Sequence, residues 1–178
     1  VKAAATTDVN VSGVTGQTTT TGGNNVTVTQ DMNATAGSGV QVNTAKNVTI
    51  TATDSVAAAA GINVGAAAAT AATGTVTINA TGAAVVGNDG AVYLDTITVF
   101  GGTSVNITQV AAASYGDSAS KNAGLDDIIT QGAVTVNTTN NTTDVTITQD
   151  VARSAVAAAA TTGAVTETAS VKFGALKT

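Results

Sequence analysis

The chain contains no cysteine, no histidine, no proline and no tryptophan, and its aromatic residues are two Phe and two Tyr. Each absence closes off a kind of chemistry. Without Cys there is neither a disulfide nor a thiolate metal site. Without His there is no imidazole-based triad or metal centre. Charge is scarce as well: 6 Lys and Arg and 11 Asp and Glu in 178 residues, a net −5. The six cations sit apart at positions 2, 46, 121, 153, 172 and 177. They form no basic patch, so no nucleic-acid partner is expected, because such binding relies on Lys and Arg to neutralise phosphates. Between Asp54 and Asp89 there is no charge at all. Gly, Asn and Thr interrupt that stretch and no aromatic belt flanks it, so no membrane span is expected.

What is present is small. Thr and Ala contribute 36 residues each, Val 25 and Gly 19, about two-thirds of the chain between them. Large apolar side chains are few: eight Ile, three Leu and two Phe. A thick core of Leu and Phe is therefore excluded, and Val, Ile and Ala must be buried in something thin. The many β-branched residues argue against disorder, which goes with low hydrophobicity and high net charge.

The clearest pattern is period-two alternation of Val or Ile with Thr or Asn. It runs from Val26 to Gln30, Val48 to Ala52, Val76 to Ala80, Val105 to Gln109 and Val145 to Gln149. Alternation predicts strands with Val and Ile inward and Thr outward, where Thr keeps high β-propensity. Five copies make an internal repeat, although the starts are separated by 22, 28, 29 and 40 residues. A second short strand is expected before several copies, at Val40–Val42, Ile97–Val99 and Val134–Val136, with turns at Gly101-Gly102 and across 137–143. The alanine runs at 57–60, 66–69 and 157–160 are read as small inward residues of a thin core, with room for a helical turn or two. Residues 115–131, the most polar interruption, read as an inserted loop.

These features predict an all-β fold, an irregular parallel β-solenoid, with an antiparallel β-sandwich as the alternative. Successive coils of a solenoid can close over a narrow interior of small residues. A sandwich core is about 10 Å thick and asks for bulkier side chains. Residues 1–178 read as a single β-rich repeat segment, one domain or, given the start at Val1, a fragment of a longer surface protein.

The Thr/Ala/Val/Gly-dominated text, the repeated Val-Thr-Val/Ile-Thr-Gln and the closing Glu167-Thr-Ala-Ser-Val-Lys-Phe-Gly-Ala-Leu176 resemble the repeat region of large secreted bacterial surface proteins, the S-layer and RTX-type proteins. That resemblance spans roughly Val26 to the end of the chain. It implies β-rich rods or sheets outside the cell, often calcium-dependent. The tandem glycine-rich nonapeptide of RTX proteins is absent, and only Gly87-Asn-Asp-Gly-Ala-Val-Tyr-Leu-Asp95 is faintly similar to it.

Candidate sites follow from oxygen chemistry. Asp89 and Asp95 are candidate Ca²⁺ ligands, with Asp126 and Asp127 as a second pair, since Ca²⁺ takes six to eight oxygens; Asn-Asp-Gly at 88–90 is equally well explained as a turn. Nine Asn-x-Ser/Thr sequons occur, those at Asn25, Asn47, Asn79 and Asn106 entering or lying in the strands, so they are either glycosylation acceptors or ordinary strand residues. The pairs Thr27/Thr29, Thr49/Thr51 and Thr146/Thr148 would suit an ice-binding array, except that repeats of such unequal length are expected to break it. The chain is read as a non-enzyme and as a structural extracellular protein at the cell surface, with copies of itself as the main partner, forming a surface layer, fibre or biofilm matrix. Strands with few charges and no Pro leave edges open to pairing. An adhesin rod contacting a cell-surface glycan, or an ice-binding solenoid, is the second reading. A polysaccharide-active enzyme using paired carboxylates is the third.

Overall fold

A computed structural model describes residues 1–33, 36–54, 60–83, 92–114, 128–154, 166–168 and 171–173. The alternating segments form the strands their pattern predicts. β1 (Val9–Val14), β3 (Asn25–Asp31), β5 (Asn47–Thr53), β7 (Thr75–Ala83), β10 (Ser104–Ser114) and β13 (Asp144–Ser154) stack in that order as one six-stranded sheet. The short preceding strands β2 (Gln17–Thr21), β4 (Gly39–Asn43), β6 (Gly61–Val64), β9 (Ile97–Phe100), β12 (Val134–Asn137) and β15 (Val171–Phe173) stack as a second. Every pairing in both sheets is parallel. Strand, turn, strand thus supplies two walls of one coil rather than a hairpin. Consecutive strands go to different sheets and pair with their equivalents one coil away. The protein is an all-β parallel solenoid, and the antiparallel sandwich is ruled out by the strand directions.

The coils are unequal in length but equal in phase. In the first sheet Val9 stacks on Val26, Val48, Val76, Val105 and Val145, at steps of 17, 22, 28, 29 and 40 residues. The added length goes elsewhere. From β7 onward a third, three-stranded sheet enters, made by β8 (Val92–Leu94), β11 (Ile128–Gln131) and β14 (Thr166–Thr168). Among the described residues the solenoid therefore changes along its axis from two sheets per coil to three. Residues 128–131, read as part of an inserted loop, are strand β11 of this third sheet; positions 115–127 lie outside the described residues.

The core is the set of inward columns. Val26, Val28, Val48, Ile50, Val76, Ile78, Val105 and Ile107 are buried as expected and face Val40, Val42, Ile62, Val64, Ile97, Val99, Val134 and Val136 of the second sheet. Burying each such side chain contributes roughly 1.5–3 kcal/mol. Val145 and Ile147 on β13 are only half-buried, because β13 is the last strand of its sheet.

The alanine expectation is corrected at one run. Ala66–Ala69 are exposed in the corner between β6 and β7, where Ala68–Thr70 make a single 3-10 turn. The Thr70 hydroxyl accepts from the Ala66 and Ala67 amides at 2.8 and 3.1 Å, which holds the turn although none of its residues is buried. Among the described residues the inward alanines are instead Ala45, Ala52, Ala71, Ala72, Ala80 and Ala111. Of the other runs, Ala60 is exposed too, and 57–59 and 157–160 lie outside the described residues. Where corners stack, glycine is required: at Gly101, φ is +78°, and a Cβ there would meet the Ala72 carbonyl oxygen of the coil below at 2.5 Å.

Candidate functional site

Three arrangements of polar side chains arise from the coil stack. The first is the outer face of the first sheet. In-register pairing lines up Asn10, Thr27, Thr49, Thr77, Asn106 and Thr146 in one row. The next row is Ser12, Thr29, Thr51, Asn79, Thr108 and Thr148. All twelve are uncharged and exposed or half-exposed. The unequal repeat lengths were expected to break such rows, and they do not, because the extra residues are taken up at the corners and in the third sheet.

The second arrangement borders that face. Asp8, Asn25 and Asn47 occupy equivalent positions at the start of their strands, and their side chains form a ladder. Asn25 Nδ2 donates to Asp8 Oδ1 at 2.9 Å, Asn47 Nδ2 donates to Asn25 Oδ1 at 2.9 Å, and the Thr75 amide donates to Asn47 Oδ1 at 3.0 Å. This gives the sequons at Asn25 and Asn47 a structural cause, since both amide groups are engaged in coil-to-coil hydrogen bonds. Asn79 and Asn106 lie exposed on the outer face of the first sheet.

The third arrangement is buried. Period two carries the inward phase past Val28 to Gln30, and the glutamine that closes the repeat points into the core. Gln30 Nε2 donates to the Gly16 and Gly39 carbonyls at 2.6 and 3.3 Å. Gln109 Nε2 donates to the Asp95 carbonyl at 2.9 Å. Gln149 Nε2 donates to Gln109 Oε1 at 2.6 Å and to the Gly132 carbonyl at 3.1 Å. These amides tie the far end of the first sheet to corner carbonyls that the strand ladders leave over, as buried polar groups require.

The same phase carries Ile50 and Ala52 on to Asp54, which is 2% exposed. Its Oδ2 accepts the Asp95 backbone amide at 2.6 Å, while Oδ1 has no hydrogen-bond partner. Burial pushes the Asp54 carboxyl up from 3.8 to about 6; the Asp95 amide opposes the shift and the Asp95 charge adds to it. Among the candidate calcium ligands, the structure brings Asp95 to Asp54, a residue that sequence reasoning missed although alternation from Val48 reaches it. Asp89, Asp126 and Asp127 lie outside the described residues, and among the described residues no group of three Asp or Glu converges on one point. A hollow of about 290 Å³ between corners, lined by residues such as Thr44, Ala69, Thr139 and Asn141, holds no titratable side chain. Among the described residues no helix is long and apolar enough to cross a membrane.

No protein-family model matches this chain, and no curated protein or solved structure matches it.

Proposed function

We propose that the chain is a structural segment of an extracellular surface protein, one that associates with copies of itself into a layer, fibre or matrix. The observation that carries this reading is the wide end of the stack. On β13 the inward Val145 and Ile147 are half-exposed, whereas their counterparts on β10, Val105 and Ile107, are 1% and 0% exposed. A strand with partly uncovered core residues, and with no further strand beside it among the described residues, is a template for another strand. Another coil of the same phase would cover both. The location outside the cell follows from the resemblance to S-layer and RTX-type repeat regions.

Docking of the β13 edge of one copy on the β1 edge of the next is a head-to-tail contact, which does not close and so extends into a polymer. Association through β13 is expected to bury more than roughly 1,000 Å², the scale of a specific contact. With few charges involved, it should persist at moderate salt.

Sedimentation velocity and electron microscopy at tens of micromolar test the reading. Oligomers or ordered polymers are expected. Ile147→Lys, at a half-exposed position, should leave the coil folded by circular dichroism and shift the protein toward monomer. A wild-type chain that stays monomeric overturns the proposal.

A further inference from the structure

We infer that the outer face of the first sheet is a binding surface for the ordered oxygen lattice of ice. The inference is independent of self-association and goes beyond it.

Its basis is a contrast between neighbouring rows. In the bordering positions side chains are tied to one another: Asp8, Asn24, Asn25, Asn47 and Thr75 on one side, Asp31 and Thr53 on the other. In the two central rows, from Asn10 to Thr146 and from Ser12 to Thr148, no side chain makes a hydrogen bond within the chain. All twelve side chains are exposed or half-exposed, and none of their polar atoms is buried without a partner. Eight of the twelve are Thr, whose branched Cβ restricts χ1 and so holds the hydroxyl in few orientations.

The spacing is fixed in both directions by the fold. Parallel strands lie about 4.8 Å apart, and residues two apart on one strand about 6.6 Å apart. The six strands from β1 to β13, unbroken in phase from β3 onward and with one bulge on β1 between Ser12 and Val14, make a patch roughly 24 Å by 7 Å. It is two-dimensionally periodic on the scale of the oxygen–oxygen repeats of an ice surface.

The chemistry selects this occupant over others. No charge lies in the two rows, so an ionic partner has nothing to pair with. The rows contain no aromatic ring on which a sugar could stack. A second copy packed face to face would bury a dozen hydroxyl and amide groups, each costly unless hydrogen-bonded. A lattice of water oxygens offers a donor or acceptor at every site.

The test uses the full chain below the concentration at which it associates. Thermal hysteresis, ice-crystal shape and partition into slowly growing ice are measured for wild type, Thr49→Tyr and Thr19→Tyr. Thr49 lies in the middle of the face, and Thr19 is exposed on the second sheet. Tyr keeps high strand propensity, and circular dichroism checks the fold. Faceted crystals and hysteresis are expected for wild type and Thr19→Tyr, with at least a tenfold loss for Thr49→Tyr. No hysteresis and no partition for the wild type overturns the inference. So does activity that Thr49→Tyr leaves unchanged, or binding to an insoluble polysaccharide in its place. Sedimentation of the same samples separates this result from the fate of the self-association proposal.

Discussion

The first sheet and the corners are built under different constraints. In the sheet, position decides residue type: inward Val or Ile, outward Thr or Asn, over six strands with matched register. A change of one residue there would turn an inward column outward. At the corners length is free, so the steps between equivalent residues grow from 17 to 40 without disturbing the sheet. What the corners must satisfy is local: close approach of stacked backbones, and partners for leftover amides and carbonyls. The comparison shows that in this solenoid regularity resides in the ladder, and variation is exported to the turns.

The largest expected effect separates the two faces of one strand. Ile78→Asp buries an unpaired charge among fully covered side chains and should cost about 4 kcal/mol or more, enough to abolish cooperative unfolding in urea. Thr77→Asp, one residue away and half-exposed, should stay within about 0.5–1 kcal/mol. Comparable losses for the two would break the distinction between inward and outward columns.

Next is a corner. Gly61 has φ +75°, and a Cβ there would meet the Thr96 carbonyl oxygen at 2.6 Å. Gly61→Val should lower stability by about 3 kcal/mol, read as a drop in melting temperature. Gly13, also at positive φ (+70°) but with open space around its Cβ position, should tolerate Ala at about 1 kcal/mol.

A smaller effect is pH-dependent. The Asp54 carboxyl holds its proton more tightly in the folded chain, up to about 6 against 3.8. Its contribution is therefore complete below pH about 4 and is lost as pH rises through about 6, on the order of 1–2 kcal/mol. Urea midpoints measured from pH 4 to pH 8 should fall across that window, and Asp54→Asn should flatten the fall.

The smallest effect tests the inward rule where the sequence departs from it. Thr18 and Thr20 on β2 point into the core, 4% and 1% exposed, and their hydroxyls have no hydrogen-bond partner. Thr20→Val should stabilise by about 1 kcal/mol in urea unfolding, because it removes an unsatisfied buried hydroxyl. Thr19→Val, on the exposed face, should change stability by less than about 0.5 kcal/mol.

Much of the first sheet was legible because alternation is a local signal. Val48-Thr-Ile-Thr-Ala states which face is buried, whatever packs on it, and the scarcity of Leu, Phe and Tyr fixed how thin the interior has to be. Gln30, Gln109 and Asp54 were equally in phase, yet polarity disguised them, because a polar residue reads as inward only when its partner is known, and those partners are corner carbonyls or an amide many residues away. Coil stacking also sets Asp95 beside Asp54, 41 residues earlier, a neighbour that distance along the chain gave no reason to look for. Sequence alone therefore determined the strand phase, the thin core and the all-β class. Only the tertiary structure decided that unequal repeats keep one register, that a third sheet widens the later coils, and that twelve outward side chains form an unbroken array. The physical reason is that a strand's faces are set by its own residues, while register between coils is set by backbone pairing and turn length across tens of residues.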